Sequence, residues 1–225
     1  MQDPLLKFFE ENEFKAVPDP VYLLPTPLCD FEEAGLRHFR EKIFKEAKDS
    51  AQIADRAYAF IRQKIPYAFD AWEVTASETL AKKSGMCFNK TNLMAALLRS
   101  AGVPAAYAMF WIRKDGFLFT SDPKMFEKIQ PETVHVYCEA YLGPKLGWRR
   151  YVETSLDEKL KKVLEKDGYR PHRNVILEKP IERYPSPEAL LERRRQYKEA
   201  QGLQETINAS ERELSNQKLE ILRNS

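Results

Sequence analysis

The sequence has no apolar run close to the roughly 20 residues that a membrane-spanning helix needs. Its first residues, MQDPLLKFFEENEF, carry acidic side chains where a secretory signal would have an apolar stretch. Both absences predict a cytoplasmic protein without a membrane span.

Excess charge of one sign is also missing, since 36 Lys and Arg stand against 34 Asp and Glu, for a net charge of +2. A dedicated nucleic-acid binder would be strongly basic, so no nucleic-acid partner is predicted. The three cysteines, Cys29, Cys87 and Cys138, are odd in number and have no CxxC spacing. We therefore expect neither a disulfide framework nor a zinc site, and no metal or cofactor. Chemistry at cysteine should be thiol chemistry.

The first half of the chain is predicted to be mainly helical. Five prolines in residues 1–30 indicate extended or turned chain that wraps a surface. Helical periodicity follows from about residue 30 to residue 64, with Ser50 as a candidate N-cap. After a short helical turn near residues 77–83, a strongly apolar helix is predicted from Cys87 to Ala101. Gly102 and Pro104 mark its end.

Three β-like runs then follow, at residues 105–112, 134–142 and 148–154. The last two are joined by GPKLG, a length suited to an antiparallel hairpin. Helices followed by an antiparallel sheet predict an α+β domain. The long connection at residues 113–133 is either a lid or specificity loop, or a surface excursion packed on its own aromatic side chains.

We divide the chain into a proline-rich wrap (1–30), a catalytic domain (31–166), an irregular linker (167–187) and a polar helical tail (188–225). The domain ends with a predicted helix at residues 156–166. In the tail, apolar residues recur every seven positions, but the companion positions include Ser210 and Gln217. This weak heptad favours a solvated helix packed lightly on the domain over a coiled coil, and a partner-binding helix is the alternative.

Cys87 is the first candidate for catalysis. It follows Gly85 and opens a helix, where unpaired N–H groups and the positive end of the helix dipole favour a thiolate. The same N–H groups can stabilise an oxyanion. Taken alone, the position favours an inert, buried thiol.

His135 is the candidate base. In the strand VHVYCEAYL it shares a face with Tyr137 and Glu139, and from that mixed face it could meet a cysteine on a helix packed across the strand. A third polar group should orient the imidazole. Glu153, one hairpin away, is the first choice for this role, and Asp157 is the second.

These blocks resemble the transglutaminase-like superfamily, which has a papain-like cysteine fold. The family joins a Gly-x-Cys segment to a helix that ends in Leu-Leu-Arg-x-Ala-Gly-x-Pro-Ala, and it places a histidine, an acid and an aromatic residue on a later strand. The matching positions are Gly85, Cys87, Leu97, Leu98, Arg99, Ala101, Gly102, Pro104, Ala105, His135, Glu139 and Tyr141. Trp148 and the run Glu153-Thr154-Ser155 resemble the Trp and Asp-Pro-Thr elements that follow.

The third catalytic position departs from the family, which usually has aspartate where this chain has Glu153. The longer side chain reaches the imidazole only if the backbone or rotamer adjusts. The spacings, 135 − 87 = 48 and 153 − 135 = 18 residues, are usual for a compact free-standing member of the prokaryotic type.

The resemblance implies acyl transfer through a thioester on Cys87, with His135 as base and Glu153 as orienting acid. The substrate would be a peptide, an amide or an acyl thioester. Water as the acceptor gives a protease or amidase, and an amine gives an amide-forming enzyme. A carrier protein could then dock on the C-terminal helix. The alternative is a catalytically weak scaffold or interaction domain.

Overall fold

The four strands in the described part of the chain form one antiparallel sheet in the order β3-β2-β1-β4. The structure is a computed structural model, and it describes residues 4–152, 156–166, 175–202 and 207–224. The strands are β1 (Ala105–Arg113), β2 (Glu132–Tyr141), β3 (Trp148–Tyr151) and β4 (Glu182–Tyr184). The helices within the described residues are α1 (Pro4–Glu11), α2 (Ala34–Phe44), α3 (Ser50–Lys64), α4 (Ala76–Lys82), α5 (Cys87–Ser100), α6 (Pro123–Lys128), α7 (Glu158–Lys166), α8 (Pro187–Ala200) and α9 (Ala209–Asn224).

Helix α5 is the central element of the core. Every residue from Cys87 to Arg99 is buried, because α2, α3 and α4 pack around the helix and β1 and β2 lie against it. On the sheet, Met109, Val136 and Cys138 belong to the same buried cluster as α5. The strands therefore turn their apolar face towards α5, as alternation along a strand requires.

The opposite face of the sheet has a smaller core of its own. Phe110 and Tyr137 lie there with Phe9 of α1 and Ile181 just before β4. The rings of Phe9 and Phe110 meet edge to face at 5.7 Å between centroids. Helix α1 thus covers the second face, and burial on both faces explains why β1 is almost continuously apolar.

This architecture confirms the predicted α+β fold, with the Cys87 helix packed on an antiparallel sheet and helices at the C-terminal end. Three details differ. Pro4–Glu11 is helical rather than extended, since Pro4 occupies a first-turn position where proline is tolerated. Asp49, not Ser50, caps α3 through Gln52 N–H at 2.8 Å. The region predicted as an irregular linker supplies β4, which pairs with β1 at Tyr107–Met109.

The described residues of the C-terminal region form two helices, α8 and α9, where one was predicted. Both bury apolar residues, Leu190 in α8 and Leu219 in α9. No helix in the described parts of the chain is long and apolar enough to cross a bilayer.

Candidate active site

Gly85 sets the start of α5. Its N–H donates to Pro66 O (3.3 Å) and its carbonyl accepts from Ala68 N–H (3.2 Å), so two chain segments run side by side here. A Cβ at this position would lie 2.8 Å from Asn89 Cβ, closer than side-chain atoms approach each other. The close contact explains glycine two residues before the cysteine.

Asn89 secures the same turn. Its Oδ1 accepts from Met86 N–H at 3.0 Å, and its Nδ2 donates to Ala71 O at 2.9 Å. One side chain thus caps α5 and fixes the neighbouring loop, so Cys87 is held rigidly at the first helical position.

The Cys87 thiol lies in an apolar setting with backbone donors around it. The side chain is only 6% exposed, and burial raises the pKa of the thiol. Hydrogen bonds from the backbone of Val136, Phe88 and Cys87 itself, and the positive charge of Arg194, work in the opposite direction. The donors and the cation would stabilise negative charge on the sulfur or on an oxygen beside it.

Val136 is the point where β2 meets the start of α5. Tyr141 N–H donates to Pro104 O across β1 and β2, so these two residues form a hydrogen-bonded pair. In an antiparallel ladder such pairs alternate with pairs that are not hydrogen-bonded. The pair Val136–Met109 is therefore non-bonded, and both backbone groups of Val136 point away from β1. Thr91, one turn along α5, donates its hydroxyl to the Val136 carbonyl at 3.2 Å, and the Val136 backbone works against the burial that raises the pKa of the Cys87 thiol.

His135 directly precedes Val136 on β2 and is 3% exposed. Its ring lies 5.1 Å from the ring of Phe110, which belongs to the core on the far side of the sheet from α5. Nε2 lies 3.1 Å from Val152 O. A carbonyl only accepts, so Nε2 carries a proton, and in the neutral ring Nδ1 holds the lone pair. Cys87 thus lies on the α5 side of β2, near Val136, and the side chain of the preceding residue, His135, points to the other side of the strand.

Of the two candidates for the acid that orients the imidazole, Glu153 and Asp157, the structure describes Asp157. Glu153 lies outside the described residues, and Val152, to which His135 donates, immediately precedes it. Asp157 is buried and caps α7 through Leu160 N–H at 3.0 Å. It also accepts from Tyr67 N–H at 3.1 Å and from Arg223 at 2.8 Å. Burial opposes ionisation of Asp157, but these hydrogen bonds hold its pKa below the usual range.

Glu139, the acid that follows the histidine in the family pattern, is fully buried and paired. Arg183 donates to it through Nε at 2.6 Å and Nη2 at 3.1 Å, and Tyr137 Oη donates at 3.1 Å. Since Arg183 belongs to β4 and Glu139 to β2, the pair ties two non-adjacent strands together. Its role here is structural.

A cavity opens beside Cys87, with an empty volume of about 990 Å³ including its mouth. That is at the upper end of the usual size of a ligand site. Its walls come from the 67–72 loop, β1, β2, the insertion after β1 and the two C-terminal helices. The lining residues of this Cys87 cavity are Tyr67, Phe69, Asp70, Trp72, Met86, Cys87, Trp111, Phe117, Met125, Lys128, Ile129, Gln130, Glu132, Thr133, Val134, Arg194, Tyr197, Lys198, Ile207 and Arg212.

Two residues near the thiol were missed in the sequence. Lys90, one turn after Cys87, is fully buried, and this burial lowers its pKa to about 7. Arg194 of α8 lies with its guanidinium 4.1 Å from the ring centroid of Trp72. Lys90 could have been found in the sequence, because a lysine stands out within an apolar helix. Nothing local marks Arg194 among its charged neighbours.

The sequence model of the transglutaminase-like superfamily matches residues 37–151. That is 151 − 37 + 1 = 115 of the 225 residues, just over half. The chain belongs to the transglutaminase-like superfamily. The matched segment begins in α2 and ends with β3, and it contains both Cys87 and His135.

Two solved structures are distantly similar. A candidate cysteine protease from Cytophaga hutchinsonii is 18% identical with a TM-score of 0.39, and the match covers 68% of this chain and 50% of that one. A candidate protease from Parabacteroides distasonis is 10% identical with a TM-score of 0.37, covering 53% and 24%. The present chain thus spans at most half of these proteins. No curated protein sequence matches it.

Proposed function

We propose that this transglutaminase-like protein is a cysteine-dependent acyl-transfer enzyme that forms a thioester on Cys87. The observation that carries the proposal is the thiol at the first position of a buried helix, beside a cavity of substrate size, with backbone donors converging on it. The substrate class is a peptide, an amide or an acyl thioester.

In the first step, the Cys87 sulfur attacks the carbonyl carbon of the donor while His135 takes the thiol proton on Nδ1. Because the imidazole lies on the face of β2 away from α5, this transfer requires the ring to turn towards the sulfur at the start of α5. Burial raises the thiol pKa, so in the free enzyme the thiol is neutral and proton transfer accompanies attack. The C–N or C–S bond to the leaving group then breaks, and the imidazolium returns its proton to that group. Val152 O accepts from Nε2–H and orients the ring, and Glu153, with Asp157 as the alternative, supplies the negative charge that stabilises the imidazolium. The backbone N–H groups of the first helical turn hold the oxyanion.

In the second step, an acceptor attacks the thioester and releases Cys87. Water would make the enzyme a protease or amidase, and an amine would make it an amide-forming transferase. The exposed apolar residues of α9, Leu214 and Ile221, lie seven positions apart and offer one place for a carrier protein to dock. Exclusion of water from the cavity decides between these outcomes.

The competing function is a scaffold domain without catalysis. It is favoured by the low exposure and raised pKa of the thiol, which are also the properties of an inert core cysteine. The two functions differ in whether a covalent intermediate forms.

Intact-mass spectrometry with peptide mapping distinguishes them. The protein is exposed to peptides, glutamine-containing donors and acyl thioesters, and the acylated residue is located. Catalysis requires an adduct on Cys87 that is absent in Cys87→Ala. The buried Cys29 and Cys138 serve as internal controls. Acylation spread over all three thiols, or none at any of them, contradicts the proposal.

A further inference from the structure

The interior of the Cys87 cavity is apolar, and its charged side chains lie closer to solvent. Beside Cys87 itself, the apolar lining residues that are at most 6% exposed are Tyr67, Phe69, Trp111, Met125 and Val134. The side chains of Asp70 and Glu132, by contrast, are 23% and 39% exposed. The cavity thus has an apolar interior and a polar rim, which is usual for a site that binds a small molecule or a side chain.

The charged side chains of the lining are engaged with other groups of the chain. The pairs are Asp70–Lys82, Glu132–Lys179, Lys128–Glu211 and Arg212–Ile207 O. The guanidinium of Arg194 packs over the ring of Trp72 at 4.1 Å, and Lys198 is engaged as well. Because these charges serve contacts within the fold, recognition of a ligand falls to the apolar side chains of the interior.

The floor of the cavity continues the sheet face on which α5 packs. Val134 and Val136 share this face, since they are two positions apart on β2. Trp111 of β1 pairs with Val134, and its indole N–H donates to Glu182 at 3.2 Å. An indole that is held in this way gives the cavity a fixed aromatic wall beside Cys87.

The insertion between β1 and β2, residues 113–133, supplies a second wall. Its apolar side chains at the cavity are Phe117, Met125 and Ile129. The ring of Phe117 lies 6.3 Å from the ring of Phe69, on the loop across the cavity. Helix α9 holds the insertion in place, because Ser215 Oγ accepts from Asp122 N–H at 2.9 Å. The wall is therefore anchored, as a specificity element requires.

Aromatic rings surround this interior on several sides. The rings of Trp111 and Tyr197 lie 4.3 Å apart and are inclined by 52°, and those of Tyr67 and Phe69 lie 5.3 Å apart, edge to face. Aromatic rings prefer offset or inclined neighbours at about 4.5–7 Å, and the thioether of Met125 is a favourable neighbour for a ring as well. A further ring bound here would meet the kind of surface that aromatic groups prefer.

We propose that the Cys87 cavity takes an acyl donor with an aromatic ring close to the reacting carbonyl, and that Phe117 of the insertion helps to select this ring. The inference deepens the proposed function and rests on it, but binding of the ring beside the thiol is measurable without any acyl transfer. The donor would be a peptide with an aromatic residue on the acyl side of the reacting bond, or an arylalkanoyl thioester.

Protection of Cys87 from alkylation tests ring binding directly. The rate of reaction with iodoacetamide is measured at alkaline pH, assigned to Cys87 by peptide mapping, and followed as 3-phenylpropanamide or propanamide is added. The two amides differ only in the ring. We expect half-protection at an at least ~10-fold lower concentration of 3-phenylpropanamide, since burial of a phenyl ring contributes about that much to binding. The aliphatic 4-methylpentanamide should protect less well than the phenyl compound, because it lacks the ring contacts.

Matched variants assign the effect to the insertion. Relative to its own rate without ligand, Phe117→Ala should need an about fivefold higher concentration of 3-phenylpropanamide for half-protection, as the loss of one aromatic contact would give. Phe119→Ala is the control, because it removes the same side chain two positions along the insertion, where Phe119 is 39% exposed. It should leave the protection unchanged.

The outcomes separate the inference from the proposed function. Equal protection of the wild type by 3-phenylpropanamide and propanamide or 4-methylpentanamide, or an equal loss in Phe119→Ala, would overturn the inference while leaving the proposed acyl transfer standing. Strong protection by the phenyl compound together with no acyl adduct from any donor would overturn the acyl transfer and keep the ring site.

A second pair of amides distinguishes the two sources of the ring. N-acetylphenylalanine amide carries the same ring as 3-phenylpropanamide at the same distance from the carbonyl, but on a peptide backbone. Stronger protection of Cys87 by the first compound assigns a peptide donor, and stronger protection by the second assigns an arylalkanoyl donor. N-acetylalanine amide, which has no ring, should not protect. Equal protection by the two N-acetyl amides would contradict recognition of a ring.

Discussion

Thr91, one turn along α5 from Cys87, donates its hydroxyl to the carbonyl of Val136 at 3.2 Å, one strand residue after His135. The contact joins the two sequence blocks that identify the family, although 48 residues separate Cys87 and His135 (135 − 87). It also sets the start of α5, with Cys87, against the part of β2 that carries His135.

Glu139→Gln should destabilise the fold by about 3 kcal/mol, because Arg183 would keep its buried charge without a counter-charge. Arg183 is 14% exposed and Glu139 is fully buried. Urea unfolding followed by circular dichroism measures the loss. The control Glu192→Gln alters an exposed pair on α8 and should leave the midpoint unchanged. Equal midpoints for Glu139→Gln and the wild type would show that the pair contributes nothing net.

Lys90→Met should alter how stability depends on pH. Burial lowers the pKa of Lys90 to about 7, while a lysine in the unfolded chain titrates near ~10.4. Between these values the unfolded chain binds a proton that the folded chain does not, so Lys90 makes the free energy of unfolding of the wild type rise with pH. Lys90→Met lacks this contribution.

The difference in unfolding free energy between Lys90→Met and the wild type should therefore shift by about 1 kcal/mol per pH unit above pH ~7, to the advantage of the wild type. Below pH ~6 the difference should be constant. Urea titrations at half-unit intervals from pH 6 to 9 measure it. Parallel profiles over the whole range would mean that Lys90 keeps an ordinary pKa.

Asn216→Ala should release the loop that borders the Cys87 cavity. The Asn216 amide accepts from Phe69 N–H at 2.7 Å and donates to Phe69 O at 3.0 Å, so α9 holds this loop as a paired strand would. We expect a stability loss of about 1–2 kcal/mol and faster hydrogen exchange at the Phe69 amide. Gln217→Ala, on the exposed side of α9, should change neither. Unchanged protection of Phe69 would show that α9 does not hold the loop.

The sequence was sufficient for the α+β class and for the placement of Cys87 at a helix start, because both follow from local periodicity and from Gly85. It did not allow β4 to be predicted, because the three residues of this strand show no alternation and its position depends on pairing with β1. The direction in which the His135 side chain points could not be predicted from the sequence either. Alternation predicts which residues share a face, but not which face α5 covers, and that is set by the packing of Val136 and Cys138.

The contact of the C-terminal helices with the loop beside the Cys87 cavity could not be predicted from the sequence either. Their composition is that of solvated helices, and only three-dimensional contacts show that Arg194 and Asn216 reach the cavity loop. Such long-range contacts leave no periodic signal in the sequence.

Alkylation of Cys87 by iodoacetamide should require unusually high pH. Since burial raises the thiol pKa, the rate should still be climbing at a pH where N-acetylcysteine amide, with a pKa near ~8.5, has levelled off. Rates from pH 6 to 10, assigned by peptide mapping, measure the profile. A plateau reached below pH ~8 would instead show a thiolate formed in the free enzyme, with His135 already carrying its proton.

Single-turnover acylation of Cys87 by an acyl thioester, compared between the wild type and His135→Gln, tests the cysteine–histidine assignment most directly. Quenched-flow mass spectrometry measures the rate at which the adduct appears. We predict an adduct on Cys87 that forms at least ~100-fold more slowly in His135→Gln, the usual contribution of a general base. The folded state of the variant is checked by its thermal midpoint. Equal acylation rates in the two folded proteins would contradict the assignment of His135 as the base for Cys87.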